Sequence, residues 1–226
     1  MIFDHQGKYI PWGSVERVRV EPFIATAVLP SWMSIYNSAA ETDKWSMGLA
    51  TATVQHLQVD TPSTAGSFSV LNLNDNTGVP SSSGGKFGLD LMEIRLGLEG
   101  LYFSHDQTLC DFEFAFNTST TRGVKMKSDS TGTYFEARNG GTLTRVDLQY
   151  DLMLNGEWAR PRNIEFIARP DRWCVLLENG RVVGAHQFTA AQMAVGQIAP
   201  KPGLFNRVAG TTRWMRMAQV KLTLCH

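Results

Sequence analysis

The chain has 226 residues, of which 43% are hydrophobic and 19% charged, a balance that excludes an intrinsically disordered protein. Its 21 lysines and arginines equal its 21 aspartates and glutamates, so it has no overall field to hold nucleic acid or anionic lipid. A chain of this length can bury a large core, and we expect residues 1–226 to form a single domain.

The first predicted strand is VERVRVE at residues 15–21, and FIATAVLP at residues 23–30 is a second strand that a proline ends. Residues 31–45 are predicted to form a loop or a short helical turn, and they contain Trp32, Tyr36 and Trp45. Two interpretations of these rings are open: they cap one end of the folded chain, or they stack against a sugar.

Two longer strands follow, GLATATVQHLQVD at residues 48–60 and GSFSVLNLN at residues 66–74. The second strand leads into an oxygen-rich cluster made of Asn72, Asn74, Asp75 and Asn76. A polar turn is the simpler interpretation of this cluster, and a calcium site is the alternative. The scattered histidines show no spacing typical of a metal site, and no other cofactor is expected.

Alternation of apolar and polar residues marks the next two strands. In FGLDLMEIRLGLEGLYF at residues 87–103, aliphatic residues alternate with charged residues and glycine. In CDFEFAF at residues 110–116, three phenylalanines alternate with Asp111 and Glu113. This period of two predicts strands that have one face in a core and the other face polar.

Two Asn-Gly pairs, Asn155-Gly156 and Asn179-Gly180, lie between apolar runs in residues 145–188. Asn-Gly in such a position is the strongest short-range signal for a two-residue hairpin, because both residues reach positive φ at little steric cost. We therefore predict four antiparallel strands in this segment.

The Asn179-Gly180 turn sets Glu178 opposite Arg181, and counting back sets Trp173 opposite His186. Residues near this turn are apolar on both sides of the predicted strands. This pattern predicts a central position in a sheet that is covered on both faces.

The Asn155-Gly156 turn sets Asp151 opposite Arg160 and Gln149 near Arg162. The polar side of this hairpin would present planar hydrogen-bonding groups beside one aromatic ring, which is what recognition of a sugar requires. The predicted glycan-binding residues are Asp147, Gln149, Asp151, Trp158, Arg160 and Arg162. The alternatives are a solvated polar face and a Trp158 that is buried under a neighbouring loop.

The chain continues with TAAQMA at residues 189–194, the segment of most helix-like composition, and ends with a strand in TRWMRMAQVKLTLC at residues 212–225. We expect this last strand to lie beside the first one. Roughly a dozen or more short strands, with turn signals about every 8–12 residues and almost no helix, predict an antiparallel β-sandwich.

A Gly-x-Trp after a turn is followed here by an apolar strand, a second turn and a short valine strand. The residues that form this pattern are Gly156, Trp158, Leu176, Asn179, Gly180 and Val182. The pattern resembles the concanavalin A-like lectin and glucanase superfamily, which includes laminin-G domains. That family often has His after the Trp, where this chain has Ala159, and Asp where it has Asn179. The resemblance implies a concanavalin A-like antiparallel β-sandwich, or jelly roll.

The superfamily contains lectins, glycoside hydrolases, polysaccharide lyases and non-catalytic adhesion and virion modules, so fold alone leaves the activity open. Asp111 and Glu113 share one strand face about 7 Å apart, which suits a glycosidase. The Glu-x-Asp-x-x-Glu of related enzymes is absent. A lyase would need a base such as His56 or Tyr134 beside Arg95, and the lyase motifs match only in part. We expect a non-catalytic protein, with a polysaccharide-degrading enzyme as the alternative.

The chain has three widely spaced cysteines, Cys110, Cys174 and Cys225. This odd number favours free thiols, and one disulfide between two of them is the alternative. The first residues contain no basic region followed by an apolar run, so we expect no signal peptide and synthesis in a cytoplasm. The longest apolar run, FIATAV, is too short to span a bilayer, and no membrane insertion is expected.

Six tryptophans and nine methionines suit a particle protein whose apolar surface is buried between subunits. We predict a lectin-like module for attachment or particle structure, such as a phage capsid, tail or surface protein. Its expected ligands are glycans or polysaccharides, and its expected partners are copies of itself or other particle subunits. No nucleic-acid partner is expected.

Overall fold

The computed structural model describes residues 2–3, 9–10, 17–22, 29, 32–38, 45–51, 54–73, 87–89, 92–119, 121–153 and 159–225. No residue in these ranges belongs to an α-helix, and none of them forms a helix long and apolar enough to cross a membrane. The strands of these ranges are β1 Ile2–Phe3, β2 Tyr9–Ile10, β3 Arg17–Pro22, β4 Met33–Asn37, β5 Trp45–Thr51, β6 Val54–Asp60, β7 Phe68–Leu73, β8 Phe87–Gly88, β9 Glu93–Phe103, β10 Cys110–Ser119, β11 Arg122–Asp129, β12 Gly132–Asn139, β13 Thr142–Asp147, β14 Arg162–Ala168, β15 Trp173–Glu178, β16 Arg181–Gln187, β17 Gln197–Asn206, β18 Trp214–Met217 and β19 Gln219–Cys225.

Two antiparallel sheets form a β-sandwich, as the period-two strands predict. Sheet A has the order β13-β12-β11-β10-β17-β7-β4, with β8 beside β17. Sheet B has the order β16-β15-β14-β9-β18-β6-β5, and β19 lies between β9 and β3. The short strands β1 and β2 pair with each other.

The core lies between the sheets and is built by the alternating apolar residues. The three phenylalanines of CDFEFAF, Phe112, Phe114 and Phe116, are fully buried on the inner side of sheet A. The ring of Phe166 in sheet B stacks against two rings of sheet A. Its centroid lies 4.8 Å from that of Phe116 and 5.7 Å from that of Phe135. These contacts fix which face of each sheet points inward, and so which side chains point outward.

The hairpin predicted at Asn179-Gly180 is confirmed. Asn179 and Gly180 have φ of 49° and 79°, as a type I′ turn requires, and Glu178 faces Arg181. The predicted register fails beyond Leu177 because a bulge shifts the pairing by one residue. His186 therefore faces Cys174 and not Trp173.

The central position predicted for this hairpin is wrong, because β16 is the edge strand of sheet B. The chain that follows β13 packs against this strand at Gly184, whereas Val182 is exposed. The side chain of Leu148 packs so closely against Gly184 that a Cβ on Gly184 would lie 2.7 Å from Leu148 Cδ1.

The hairpin predicted at Asn155-Gly156 is also wrong. β13 pairs with β12 in sheet A, whereas β14 pairs with β9 and β15 in sheet B. The chain therefore crosses from one sheet to the other between Asp147 and Arg162, and Asp151 does not pair with Arg160. The turn residues themselves, within 154–158, lie outside the described residues.

The pairing predicted between the first and last long strands is confirmed, because β3 and β19 are antiparallel neighbours. The loop predicted for residues 31–45 is wrong in part. This segment contains β4, an edge strand of sheet A, and Trp45 begins β5 at the edge of sheet B.

Candidate functional site

The outer face of sheet A carries a row of residues that crosses seven strands. Each strand contributes one residue to this row, and strand pairing places the seven residues side by side. In the strand order β13, β12, β11, β10, β17, β7 and β4, they are Asp147, Tyr134, Lys127, Glu113, Gly203, Val70 and Tyr36. We call this the outer row. One half of it is charged and hydrogen-bonded, and the other half is apolar and aromatic.

The charged half is an ordered network of ion pairs. Lys127 Nζ lies 3.2 Å from Asp111, 3.7 Å from Glu113 and 3.3 Å from Asp129. Lys125 Nζ lies 2.9 Å from Glu113 and 3.4 Å from Glu136 in the neighbouring row. These side chains are only 11–19% exposed although they are on an outer face. Such shielding makes their geometry better defined than that of ordinary surface pairs.

Two arginines border this network. Arg207, in the loop after β17, donates hydrogen bonds to Asp111 at 3.2 Å and to Ser130 Oγ at 2.7 Å. The guanidinium of Arg145 lies 3.7 Å from the centre of the Tyr134 ring and also pairs with Asp147. The aromatic face of Tyr134 is therefore covered by a cation.

The network sets the protonation of its members. Burial alone would lower the pKa of Lys127, but the carboxylates of Asp111 and Glu113 outweigh it and raise that pKa above its usual value. Burial would raise the pKa of Asp129, but hydrogen bonds from Thr131 and Tyr134 lower it to about 2. Burial and the hydrogen bond to Asp129 raise the pKa of Tyr134. At neutral pH these groups therefore keep fixed donor and acceptor roles.

The apolar half of the face is an aromatic patch formed by Tyr36, Phe68 and Phe205. The ring of Phe68 lies 6.0 Å from that of Tyr36 and 5.5 Å from that of Phe205. Tyr36 is 42% exposed, and the two phenylalanines are half-buried. Phe205 pairs directly with Asp111, so the aromatic patch and the charged network adjoin.

Gly203 lies where the two halves meet. A Cβ at this position would lie 2.6 Å from Val70 Cγ1 and 3.3 Å from Phe205. Only glycine lets the side chains of β7 and β17 lie this close over the sheet.

The residues predicted to bind a glycan are placed in different parts of the sandwich. Asp147 is exposed in the outer row, opposite Tyr134, and Gln149 is exposed just beyond it. Asp151 is half-buried, and its Oδ1 would lie 3.4 Å from a Cβ on Gly132.

The other predicted residues lie near sheet B or outside the described ranges. Arg160 is exposed just before β14. Arg162 is buried, and its Nη1 donates a hydrogen bond to Glu178 Oε1 at 3.3 Å. Trp158 is outside the described residues. The prediction that all six side chains project from one hairpin face is therefore wrong, because the hairpin does not form; glycan contact by each residue stays a prediction.

The candidate catalytic carboxylates of β10 are part of the ion-pair network. Glu113 is held by Lys125 and Lys127, and Asp111 by Lys127 and Arg207. The lyase set does not come together. Tyr134 is in sheet A, whereas Arg95 is in β9 of sheet B, where it pairs with Glu93.

The oxygen-rich cluster considered for calcium is described only at Asn72, which is buried in β7. Asn74, Asp75 and Asn76 lie outside the described residues. Among the residues that are described, no group of three or more His, Cys, Asp or Glu could hold a metal ion. All three cysteines are free thiols.

Sequence reasoning misses the aromatic patch because its members come from three strands that are distant in sequence. The sequence predicts a loop around Tyr36, and nothing local links that residue to Phe68 or Phe205. The signal that joins them is the pairing order of β4, β7 and β17, which no local pattern encodes.

No family model and no curated protein matches this sequence. Solved structures do match in fold. The carbohydrate recognition domain of Emp47p aligns with a TM-score of 0.57 at 10% identity, over 90% of this chain and 93% of that one. The botulinum neurotoxin DC binding domain in complex with SialylT aligns at 0.53 and 8% identity, over 84% of this chain and 42% of that one.

A third match is a structure of botulinum neurotoxin type C, which aligns with a TM-score of 0.52 at 9% identity. Cell entry of that toxin is described as dependent upon interaction with two ganglioside molecules. The alignment covers 84% of this chain and 42% of that one, so this chain spans less than half of both toxin chains. The chain has the lectin-like β-sandwich fold. The concanavalin A-like fold implied by the sequence resemblance is thereby confirmed at the level of architecture.

Proposed function

We propose that this chain is a non-catalytic lectin-like module that binds a glycan on the outer face of sheet A. One observation carries the proposal: the aromatic patch of Tyr36, Phe68 and Phe205 adjoins the ordered charged network at the Phe205–Asp111 pair. A sugar ring presents an apolar C–H face and directional hydroxyls. The outer face offers a matching surface for each within one continuous area.

The charge balance of this face suits an uncharged glycan. The network and its rim contain five carboxylates, Asp111, Glu113, Asp129, Glu136 and Asp147, and five cations, Lys125, Lys127, Arg138, Arg145 and Arg207. The ion pairs hold oxygen and nitrogen atoms in place, so hydroxyls meet prearranged partners. The name of one fold neighbour, a carbohydrate recognition domain, supports a carbohydrate as the ligand.

Binding to an array of neutral and acidic glycans tests the proposal, and isothermal titration with the best ligand gives its Kd. Tyr36→Ala removes the most exposed ring of the patch and is expected to weaken binding roughly tenfold, since a stacked ring contributes about 1–1.5 kcal/mol. Leu143→Ala, which changes an exposed apolar residue outside the patch, is the matched control. No binding on the array, or equal Kd values for both variants, would contradict the proposal.

The site predicted from sequence is tested beside this one. Asp147 belongs to the outer row, so Asp147→Asn is expected to weaken glycan binding together with Tyr36→Ala. Trp158→Ala distinguishes the two locations. A loss of binding on Trp158→Ala with no effect of Tyr36→Ala would move the glycan to the segment between β13 and β14.

Catalysis is the alternative that the same face allows. Assays for new reducing ends and for lyase products over a panel of polysaccharides test it. Turnover that Asp111→Asn or Glu113→Gln abolishes would make the chain a polysaccharide-degrading enzyme and would overturn the non-catalytic assignment.

We infer attachment or particle structure, of a phage or another virion made in a cytoplasm, as the biological setting. Leu143 on β13 and Val182 on β16 are 55% and 62% exposed, and both strands are sheet edges. Exposed apolar residues on edge strands favour burial between subunits. Light scattering after size exclusion is expected to show a symmetric oligomer. A monomer that still binds glycan would contradict the particle role and support only the lectin role.

A further inference from the structure

Arg213 is a buried cation that has no charged partner among the described residues. It immediately precedes β18 and is 4% exposed. Two other charged side chains of the described residues are comparably buried, and each has an ion-pair partner: Arg162 lies 3.3 Å from Glu178, and Asp129 lies 3.3 Å from Lys127. Within the part of the chain that the structure describes, the Arg213 guanidinium has no ion pair and no hydrogen bond, and its Nε is fully enclosed.

The main chain at Arg213 is held by hydrogen bonds to neighbouring segments. Arg213 N donates to Thr61 Oγ1 at 3.1 Å, and Arg213 O accepts from Thr61 N at 2.8 Å. The next residue, Trp214, bonds to Ser104 through both its N and its O at 2.9 Å. These bonds fix the backbone from which the Arg213 side chain extends.

The loop between β9 and β10 lies near Arg213, because the charge of Arg213 acts on both His105 and Cys110 at its two ends. Asp106, the carboxylate of this loop, is bonded to Thr108 N at 2.9 Å and also to Thr108 Oγ1. Burial and then the charge of Arg213 lower the pKa of His105, which disfavours the charged form of that ring. Gln107 is 5% exposed, and its Oε1 has no hydrogen-bond partner among the described residues.

Arginine does not deprotonate in proteins, so an enclosed guanidinium needs a negative charge from elsewhere. We propose that Arg213 is the centre of an anion-binding site for an oxyanion group, namely the carboxylate, sulfate or phosphate of a ligand. The planar fork of a guanidinium bonds such groups through two parallel N–H donors. The loop that contains His105, on which the charge of Arg213 acts, also contains Gln107, whose buried Oε1 has no hydrogen-bond partner among the described residues.

Arg213 follows a solvent-exposed segment of the chain. Residues 207–212, between β17 and Arg213, are all exposed. The site is at one end of the sandwich and does not include the aromatic patch. It is therefore independent of the glycan proposal, and either can fail while the other stands.

Thermal unfolding of the full chain with sodium sulfate, phosphate or acetate, at constant ionic strength, tests the site. A hundredfold excess of the bound anion over its Kd is expected to raise the Tm of the unchanged protein by roughly 5–10 °C. The same anion is expected to leave the Tm of Arg213→Met unchanged. Response to acetate identifies a carboxylate ligand, and response only to sulfate or phosphate identifies an ester of those acids.

A second comparison distinguishes an anion site from a structural arginine. Without added anion, Arg213→Met removes an uncompensated buried charge and is expected to keep or raise the Tm. Arg162→Met is the matched control, because it removes a buried arginine that has an ion-pair partner, and it is expected to lower the Tm in every buffer. The proposal is overturned if no anion raises the Tm of the unchanged protein more than that of Arg213→Met. It is equally overturned if Arg213→Met lowers the Tm in anion-free buffer as much as Arg162→Met does.

Discussion

The buried guanidinium of Arg162 on β14 is paired with Glu178 on β15 at 3.3 Å, and the arginine side chain is only 4% exposed. Glu178 also faces Arg181 across the Asn179-Gly180 turn. One carboxylate thus compensates a buried charge and lies at the start of the hairpin. The ion pair therefore offsets part of the cost of burying a charge beside an otherwise apolar inner face.

Replacing Glu178 by Gln is expected to destabilise the fold by about 2–4 kcal/mol, because it removes the charged partner of the buried Arg162. Urea unfolding followed by intrinsic fluorescence measures the change. Asp171→Asn is the matched control, since it breaks an ion pair with Arg169 whose side chains are 46% and 48% exposed. The control is expected to cost less than about 0.5 kcal/mol, and equal losses for the two variants would contradict the explanation.

The turn between β12 and β13 offers two adjacent glycines with different backbone requirements. Gly140 has a φ of 62°, in the left-handed region, whereas the φ of Gly141 lies outside that region. A Cβ added at either position would have no neighbour within 4 Å. Gly140→Ala is therefore expected to cost about 1–2 kcal/mol through backbone strain alone. Gly141→Ala is expected to be neutral in the same denaturation experiment, and a loss equal to that at Gly140 would show that strain is not the cause.

Much of the architecture could be predicted from local pattern. The period-two alternation around Phe112, Phe114 and Phe116 marks a strand with one buried face, and the structure buries these rings. Asn179-Gly180 marks the turn that forms. Both signals are local, because strand geometry and turn dihedrals depend on neighbouring residues.

The errors come from interactions that are distant in sequence. Leu148 continues the alternation of apolar and polar residues of β13, but its side chain packs against Gly184 of the other sheet. The alternation alone does not distinguish these two positions. The bulge beside Leu177 has no sequence marker and shifts every later pair by one residue. For the same reason the aromatic patch cannot be predicted locally, since Phe68 and Phe205 become neighbours only through the pairing of β7 with β17.

The close approach at Gly203 gives a prediction about the outer face. Gly203→Ala would place a Cβ 2.6 Å from Val70 Cγ1, so it is expected to destabilise the fold by about 1–3 kcal/mol through overpacking. Adding Val70→Ala removes the clash. A double-mutant cycle of denaturant unfolding measures the coupling. The loss of unfolding free energy in the double variant is expected to be smaller than the sum of the two single losses by about 1 kcal/mol or more. Strict additivity would show that Val70 does not limit the space at Gly203.

Asp129 gives a prediction about the dependence of stability on pH. Its pKa is lowered from 3.8 to about 2 in the folded protein by hydrogen bonds from Thr131 and Tyr134, which outweigh the effect of burial. Because the folded pKa lies below the unfolded one, this group stabilises the fold above about pH 4, and its contribution is lost as the pH falls from about 4 to about 2. We expect a contribution of about 1–2 kcal/mol.

Asp129→Asn isolates this contribution, because asparagine retains an acceptor for Thr131 but loses the charge that faces Lys127. Urea unfolding at pH 6 is expected to show the variant less stable than the unchanged protein, with the difference shrinking as the pH falls below about 4. Asp147→Asn, whose aspartate side chain is 72% exposed, is the control and is expected to change stability by less than about 0.5 kcal/mol at both pH values. A difference for Asp129→Asn that stays constant from pH 6 to pH 2 would mean that its hydrogen bonds, and not its charge, stabilise the turn between β11 and β12.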